Sequence, residues 1–125
     1  MKVNALFLVA AAVVLSTATA EVEVLDKNNF PVKNGDSWFV KFYAPWCGHC
    51  KRLAPTWVKL AEEFKDRENV HIAKVDCTVD REVCTAEGVR GYPTLKFFTS
   101  DGHAAKYAGG RDLASLTEYA TAHSK

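Results

Sequence analysis

The strongest constraint on this chain is a junction near its middle. An apolar and aromatic run from Trp38 to Tyr43, interrupted only by Lys41, passes through Ala44-Pro45-Trp46 and Cys47-Gly48-His49-Cys50 straight into the segment Lys51 to Phe64. The run reads as a strand covered on both faces. In the segment that follows, Leu53, Ala54, Trp57, Val58, Leu60, Ala61 and Phe64 keep helical spacing, with Lys59, Glu62, Glu63 and Lys65 on the opposite side. A buried strand that feeds an amphipathic helix belongs to a layered α/β architecture, and it sets the first cysteine at a helix N-terminus. Pro55 lies inside the helix and predicts a kink, because proline cannot donate to the preceding turn.

The remaining segments fit the same class. Val22 to Leu25 alternates like a short edge strand, Asn34-Gly35-Asp36 marks a turn, and His71 to Val75 is a further apolar strand. Arg81 to Glu87 reads as a short helix closed by Gly88, and Thr94 to Phe98 as a strand. Ser100-Asp101-Gly102 turns the chain into a strand from Ala104 to Tyr107, and Asp112 caps a terminal helix carrying Leu113, Leu116, Tyr119 and Ala120. The order read is β-α-β-α-β-α-β-β-α, a central mixed sheet flanked by helices. With 48% hydrophobic and 25% charged residues in 125, the chain has the balance of one packed domain. A net charge of +1 gives no electrostatic reason to expect a nucleic-acid partner. Trp38, Phe39, Phe42, Trp57, Phe97 and Phe98 are assigned to the core, and His71, His103 and His123 to the surface or strand ends.

The first twenty residues stand apart. Lys2 is followed by an apolar run from Ala5 to Leu15 and then by Ser16-Thr17-Ala18-Thr19-Ala20. The run is shorter than the roughly 20 residues of a membrane-spanning helix, and Ala18-Thr19-Ala20 fits the small-x-small cleavage rule. Residues 1–20 are therefore expected to be a signal peptide removed after Ala20, leaving a domain over 21–125. No later stretch is apolar enough to span a membrane. The C-terminal Ala122-His123-Ser124-Lys125 is not a Lys-Asp-Glu-Leu-type signal, so the expected location is the endoplasmic reticulum lumen or the exterior.

That compartment lets disulfides persist, so each of the four cysteines needs its own account. Cys47 meets the positive end of the helix dipole and unpaired backbone N–H groups, which favour the thiolate. His49, between the two cysteines, adds a donor or an imidazolium beside it. The two-residue spacer, Gly48-His49, lets Cys50 reach Cys47, so that Cys50 can resolve a mixed disulfide by intramolecular attack. A structural disulfide and half of a zinc site are the alternatives. Zinc would need a second paired motif, whereas Cys77 and Cys84 stand seven positions apart.

The stretch Phe42 to Trp57, with its Ala44-Pro45-Trp46-Cys47-Gly48-His49-Cys50-Lys51 core, resembles the catalytic domain of the protein disulfide isomerase family, which is built on the thioredoxin fold. Val75-Asp76-Cys77-Thr78, Gly88-Val89-Arg90-Gly91-Tyr92-Pro93-Thr94-Leu95 and Gly109-Gly110-Arg111-Asp112 extend the resemblance over nearly all of residues 21–125. Within the family the likeness is to the branch of thioredoxin domain-containing protein 5. The resemblance implies a cis Pro93 beside the active-site pair, with Tyr92 and Trp46 in the substrate platform. It implies that Arg111 swings in to lower the pKa of Cys50, and that Cys77 and Cys84 form a structural disulfide, two free thiols or a second redox site being the alternatives. One departure stands out: Lys41 occupies the place of a buried family glutamate that relays protons. Lys41 either tunes the pair from below or extends its amine to water.

The function expected is thiol–disulfide exchange without cofactor or metal. Folding polypeptides with thiols or disulfides are the expected partners, and an upstream oxidase or glutathione would recharge the pair. A redox-inert peptide-binding module on the same fold and a thioredoxin-like reductase are the competing readings.

Overall fold

The computed structural model describes residues 21–31 and 35–124, so the expected signal peptide lies outside the described residues. The elements are β1 (Glu23–Val24), β2 (Ser37–Tyr43), α1 (Gly48–Glu63), β3 (Val70–Asp76), α2 (Arg81–Ala86), β4 (Thr94–Phe98), β5 (Ala104–Lys106) and α3 (Leu113–His123). They form one mixed sheet in the order β1-β3-β2-β4-β5. β1 and β2 run parallel to β3, while β4 is antiparallel to both β2 and β5.

The sequence order contained a helix between the first two strands, and the structure has none there among the described residues. Asp26 accepts the Asn28 N–H on its carboxylate, and Asn29 accepts the Asp26 N–H on its side-chain oxygen. These local bonds satisfy the backbone as a turn and compete with helix formation. The long helix begins at Gly48, three residues earlier than its apolar periodicity, because Cys50 and the two residues before it already belong to its first turn.

Alternation along β2 divides the core in two. Phe39 joins Leu53, Trp57, Leu60, Leu95, Phe97 and Leu116 on the face covered by α1 and α3. Trp38, Val40 and Phe42 point the other way, onto Ala73, Val75 and the disulfide-linked Cys77 and Cys84 beside α2. Phe98 is only half-buried, at the edge of that second cluster. The Trp57 indole N–H donates to the Ala73 carbonyl at 2.9 Å, which ties α1 to the middle of β3 and satisfies the buried indole donor.

Two glycine-dependent turns shape the periphery. Gly88, at φ +73°, ends α2 in the left-handed region that favours glycine. Tyr107 folds back so that its hydroxyl donates to the Gly110 carbonyl at 2.5 Å, and its ring lies where a β-carbon on Gly109 would collide at 2.6 Å. This closed loop presents Arg111.

His71 stands one residue inside the start of β3 and is partly exposed, as its strand-end reading expected. It lies within β3, with its ring stacked on Trp38 at 4.0 Å, and bridges Glu23 Oε2 (2.6 Å from Nδ1) and Asp36 Oδ2 (2.7 Å from Nε2). Donation to both carboxylates requires the imidazolium. Burial opposes the charge, but the hydrogen bonds and charges of Asp36 and Glu23 outweigh it and raise the pKa above 6.5. A raised folded-state pKa contributes stability that is fully present below the unfolded value and is lost as pH rises through the folded value. Urea midpoints measured at about pH 6 and about pH 9 are expected to fall more in the wild type than in His71→Gln; equal changes would contradict the bridge.

Candidate active site

The site forms at the C-terminal ends of the parallel strands β2 and β3, the end at which open α/β sheets place their chemistry. Beyond Tyr43 the chain turns, with the Cys47 N–H donating to the Ala44 carbonyl at 3.1 Å, and enters α1. Cys47 is the N-cap residue of that helix, with φ −73° and ψ 124°, and its sulfur accepts the Cys50 N–H at 3.3 Å. Sulfur thus takes the position that a serine or aspartate oxygen takes in an ordinary cap. Gly48 opens the first turn, exposed to solvent.

Both cysteines are free thiols, but their surroundings differ. Cys47 is 9% exposed and Cys50 3%. The Cys47 pKa is lowered, first by the hydrogen bond from the Cys50 side chain and then by the backbone N–H groups of Cys50 and His49 and the charge of Arg111, against the opposing effect of burial. Burial acts first on Cys50 and, with the hydrogen bond to Cys47, pushes its thiol up to about 11. The arrangement separates the two thiols into a ready nucleophile and a reserve. The Cys47 Sγ also lies 3.4 Å from the Tyr92 carbonyl, to which the neutral thiol donates. Tyr92-Pro93 is a cis peptide bond, and it brings that carbonyl beside the sulfur.

Two residues border the pair with charge or hydrogen bonds of their own. Arg52 Nη2 donates to His49 Nδ1 at 2.7 Å, and the His49 backbone N–H is among the groups that lower the Cys47 pKa. Arg111 is exposed, and in this arrangement its charge acts on Cys47. The cation that lowers Cys50 is Lys41.

Lys41 is buried, at 5% exposure, on the same face of β2 as Phe39 and Tyr43. Its amine lies 5.2 Å from the centre of the Tyr43 ring. Burial and then the charge of the neighbouring Lys74, against the opposing effect of Cys50, lower its pKa to about 8. Lys74 is its register partner on β3, and its amine faces the same tyrosine ring at 5.9 Å. Sequence reasoning missed Tyr43 and Lys74. A lysine inside the apolar run His71 to Val75 was the available signal, but only the strand register places it beside Lys41.

Around the pair, Trp46 is 68% exposed and meets the Tyr92 ring edge-on at 5.8 Å. Cys77 and Cys84 are joined by a disulfide, and the Cys77 N–H donates to the Tyr43 carbonyl at 2.9 Å, linking that loop to the strand end below the site. Among the described residues, no three His, Cys, Asp or Glu side chains are grouped so that they could hold a metal ion. Nor is any helix long and apolar enough to cross a membrane.

Comparison with known proteins agrees with this geometry. The Thioredoxin family model matches residues 21–122. A protein disulfide-isomerase of Drosophila melanogaster is 46% identical over 126 residues, an alignment covering 94% of this chain and 25% of that protein. A thioredoxin domain-containing protein 5 homolog from the same organism is 51% identical over 81 residues, covering 65% and 20% of the two chains. The chain thus spans a quarter or less of the length of these two relatives. The solution structure of the first thioredoxin domain of mouse protein disulfide-isomerase A4 superposes with a TM-score of 0.71 at 34% identity, covering 84% of this chain and 81% of that one. The chain belongs to the thioredoxin family and, within it, to the thioredoxin-like domains of protein disulfide isomerases.

Proposed function

We propose that this domain is a thiol–disulfide oxidoreductase and isomerase acting on folding polypeptides in the endoplasmic reticulum lumen or in secreted material. The observation that carries the reading is the Cys47 sulfur at the N-cap of α1 with Cys50 buried behind it. Cys47 is the nucleophile. Its thiolate attacks one sulfur of a substrate disulfide, forming a mixed disulfide and releasing the other sulfur as a thiolate that takes a proton from water. In isomerisation that thiolate attacks another disulfide of the same substrate, and Cys47 is finally expelled as it began. In the resolving branch the Cys50 thiolate attacks Cys47, releases the substrate thiol and leaves a Cys47–Cys50 disulfide. In net oxidation, substrate thiols run the same steps in reverse, and an oxidase or glutathione disulfide then removes two electrons from the reduced pair.

Trp46, Tyr92 and Pro93 form the substrate platform in this reading, with the cis bond holding the Tyr92 carbonyl at the sulfur. The Cys77–Cys84 bridge is a structural staple, and closing so short a loop contributes about 2 to 3 kcal/mol. Residues 1–20 serve as the leader that delivers the chain to an oxidising compartment.

Cys47→Ser is expected to abolish refolding of a scrambled multi-disulfide protein, and Cys50→Ser to accumulate mixed disulfides on a non-reducing gel. The pair is expected to equilibrate with glutathione near about −180 mV; a value near about −270 mV would mark a reductase instead.

Lys41 lends its charge to Cys50 during resolution. Its pKa of about 8 means that this assistance fades as pH rises, while the Cys50 thiolate fraction itself increases. The logarithm of the resolution rate is therefore expected to rise with pH and bend near pH 8. In Lys41→Met the bend should vanish, with resolution slowed roughly tenfold at neutral pH if about one pKa unit of assistance is lost. A variant profile with the same bend would remove Lys41 from the step.

A further inference from the structure

Beside the exchange pair lies a groove of about 440 Å³, lined from the end of α2 across the Tyr92-Pro93 bond to β5 and Arg111. Its walls carry Arg90, Lys96, Lys106 and Arg111, against a single acid, Glu87. Glu87 is already engaged: Lys96 Nζ donates to its carboxylate at 2.8 Å and to its backbone carbonyl at 3.2 Å. The nearby Asp112 carboxylate is turned onto the start of α3, accepting the Ser115 N–H at 3.0 Å and its hydroxyl at 2.7 Å. Arg90, Lys106 and Arg111 are solvent-exposed, and no carboxylate among the described residues lies within ion-pair distance of them. The chain as a whole is close to neutral, so this concentration of cations is local.

The groove adjoins the reacting atom through Tyr92. Tyr92, which lines it, carries the carbonyl 3.4 Å from the Cys47 Sγ, and Arg111 both borders the groove and acts electrostatically on that sulfur. A polypeptide whose cysteine reaches Cys47 can run its adjoining residues along this wall. We propose that the groove selects substrates with acidic residues next to the reacting cysteine, their carboxylates pairing with Arg90, Lys106 and Arg111. The inference rests on Cys47 and Cys50 being an exchange pair, and it adds a substrate class to that reading. Opposite charge at the rim acts mainly through the rate of encounter and through rejection of basic segments.

The test uses three peptides of equal length that differ only in whether Glu, Gln or Lys flanks a cysteine bound as a mixed disulfide to a fluorescent thiol. Fluorescence release by the reduced protein is measured at low salt and at about 0.5 M salt, and divided by the rate with a neutral small thiol. The rates are expected to fall in the order Glu, Gln, Lys, with about tenfold between Glu and Lys at low salt and little difference at high salt. Arg90→Glu/Lys106→Glu should reverse the order while leaving the Gln peptide within about twofold of the wild type. The milder Arg90→Gln/Lys106→Gln should flatten it. Equal rates at low salt, or an unchanged order in both double variants, would overturn the acidic-substrate inference alone. No exchange with any peptide would overturn it together with the exchange reading.

Discussion

The structure depends on one substitution of chemistry inside an ordinary helix cap. Where a cap normally offers an oxygen to the first turn, α1 receives the sulfur of Cys47, which accepts the Cys50 N–H. The fold builds the conditions for this placement. β2, buried on both faces, fixes where the chain emerges; the Ala44 carbonyl turns it; and α1, pinned to β3 by Trp57, sets the helix axis on the sulfur. A thiolate at that point gains from the same N–H groups that every helix leaves unpaired. Cys50, one turn further in, lies beneath the helix, where burial holds its proton.

Charge around the pair is arranged in two tiers. Above, the exposed Arg111 acts on Cys47. Below, Lys41 acts on Cys50 from inside the sheet, with Tyr43 and Lys74 as its neighbours. A lysine can occupy such a place because its stem packs like an apolar side chain while the amine rests over an aromatic face. Burial and the second lysine bring its own ionisation near physiological pH. The lower tier can therefore change charge under conditions in which the upper one cannot.

Much of this was legible in the sequence because it followed local rules. β4 matches its predicted span from Thr94 to Phe98, Asp112 caps α3 through Ser115, and Gly88 ends α2 with a positive φ. The position of Cys47 near a helix start could be read from the strand-to-helix junction, although the apolar periodicity itself is read only from Lys51 onward. What could not be read depends on register and on side-chain partners remote in sequence. Lys74 comes beside Lys41 only through the parallel pairing of β2 and β3, and His71 acquires its carboxylates from residues 48 and 35 positions away. The Arg52 partner of the His49 ring, one turn along α1, was likewise not read. The supposed helix before β2 yielded to Asx-type bonds at Asp26 and Asn29.

The claim on which the rest turns is that the Cys50 side chain and the N–H groups of the cap lower the pKa of Cys47, while burial raises that of Cys50. Thiolate ultraviolet absorbance of the reduced protein, followed as a function of pH and compared with Cys50→Ser, measures this directly. The account requires one thiolate to form below the free-cysteine value of about 8.5 and a second only well above it, the first persisting in Cys50→Ser. A reduced protein that shows no thiolate until pH exceeds about 8.5 would contradict it.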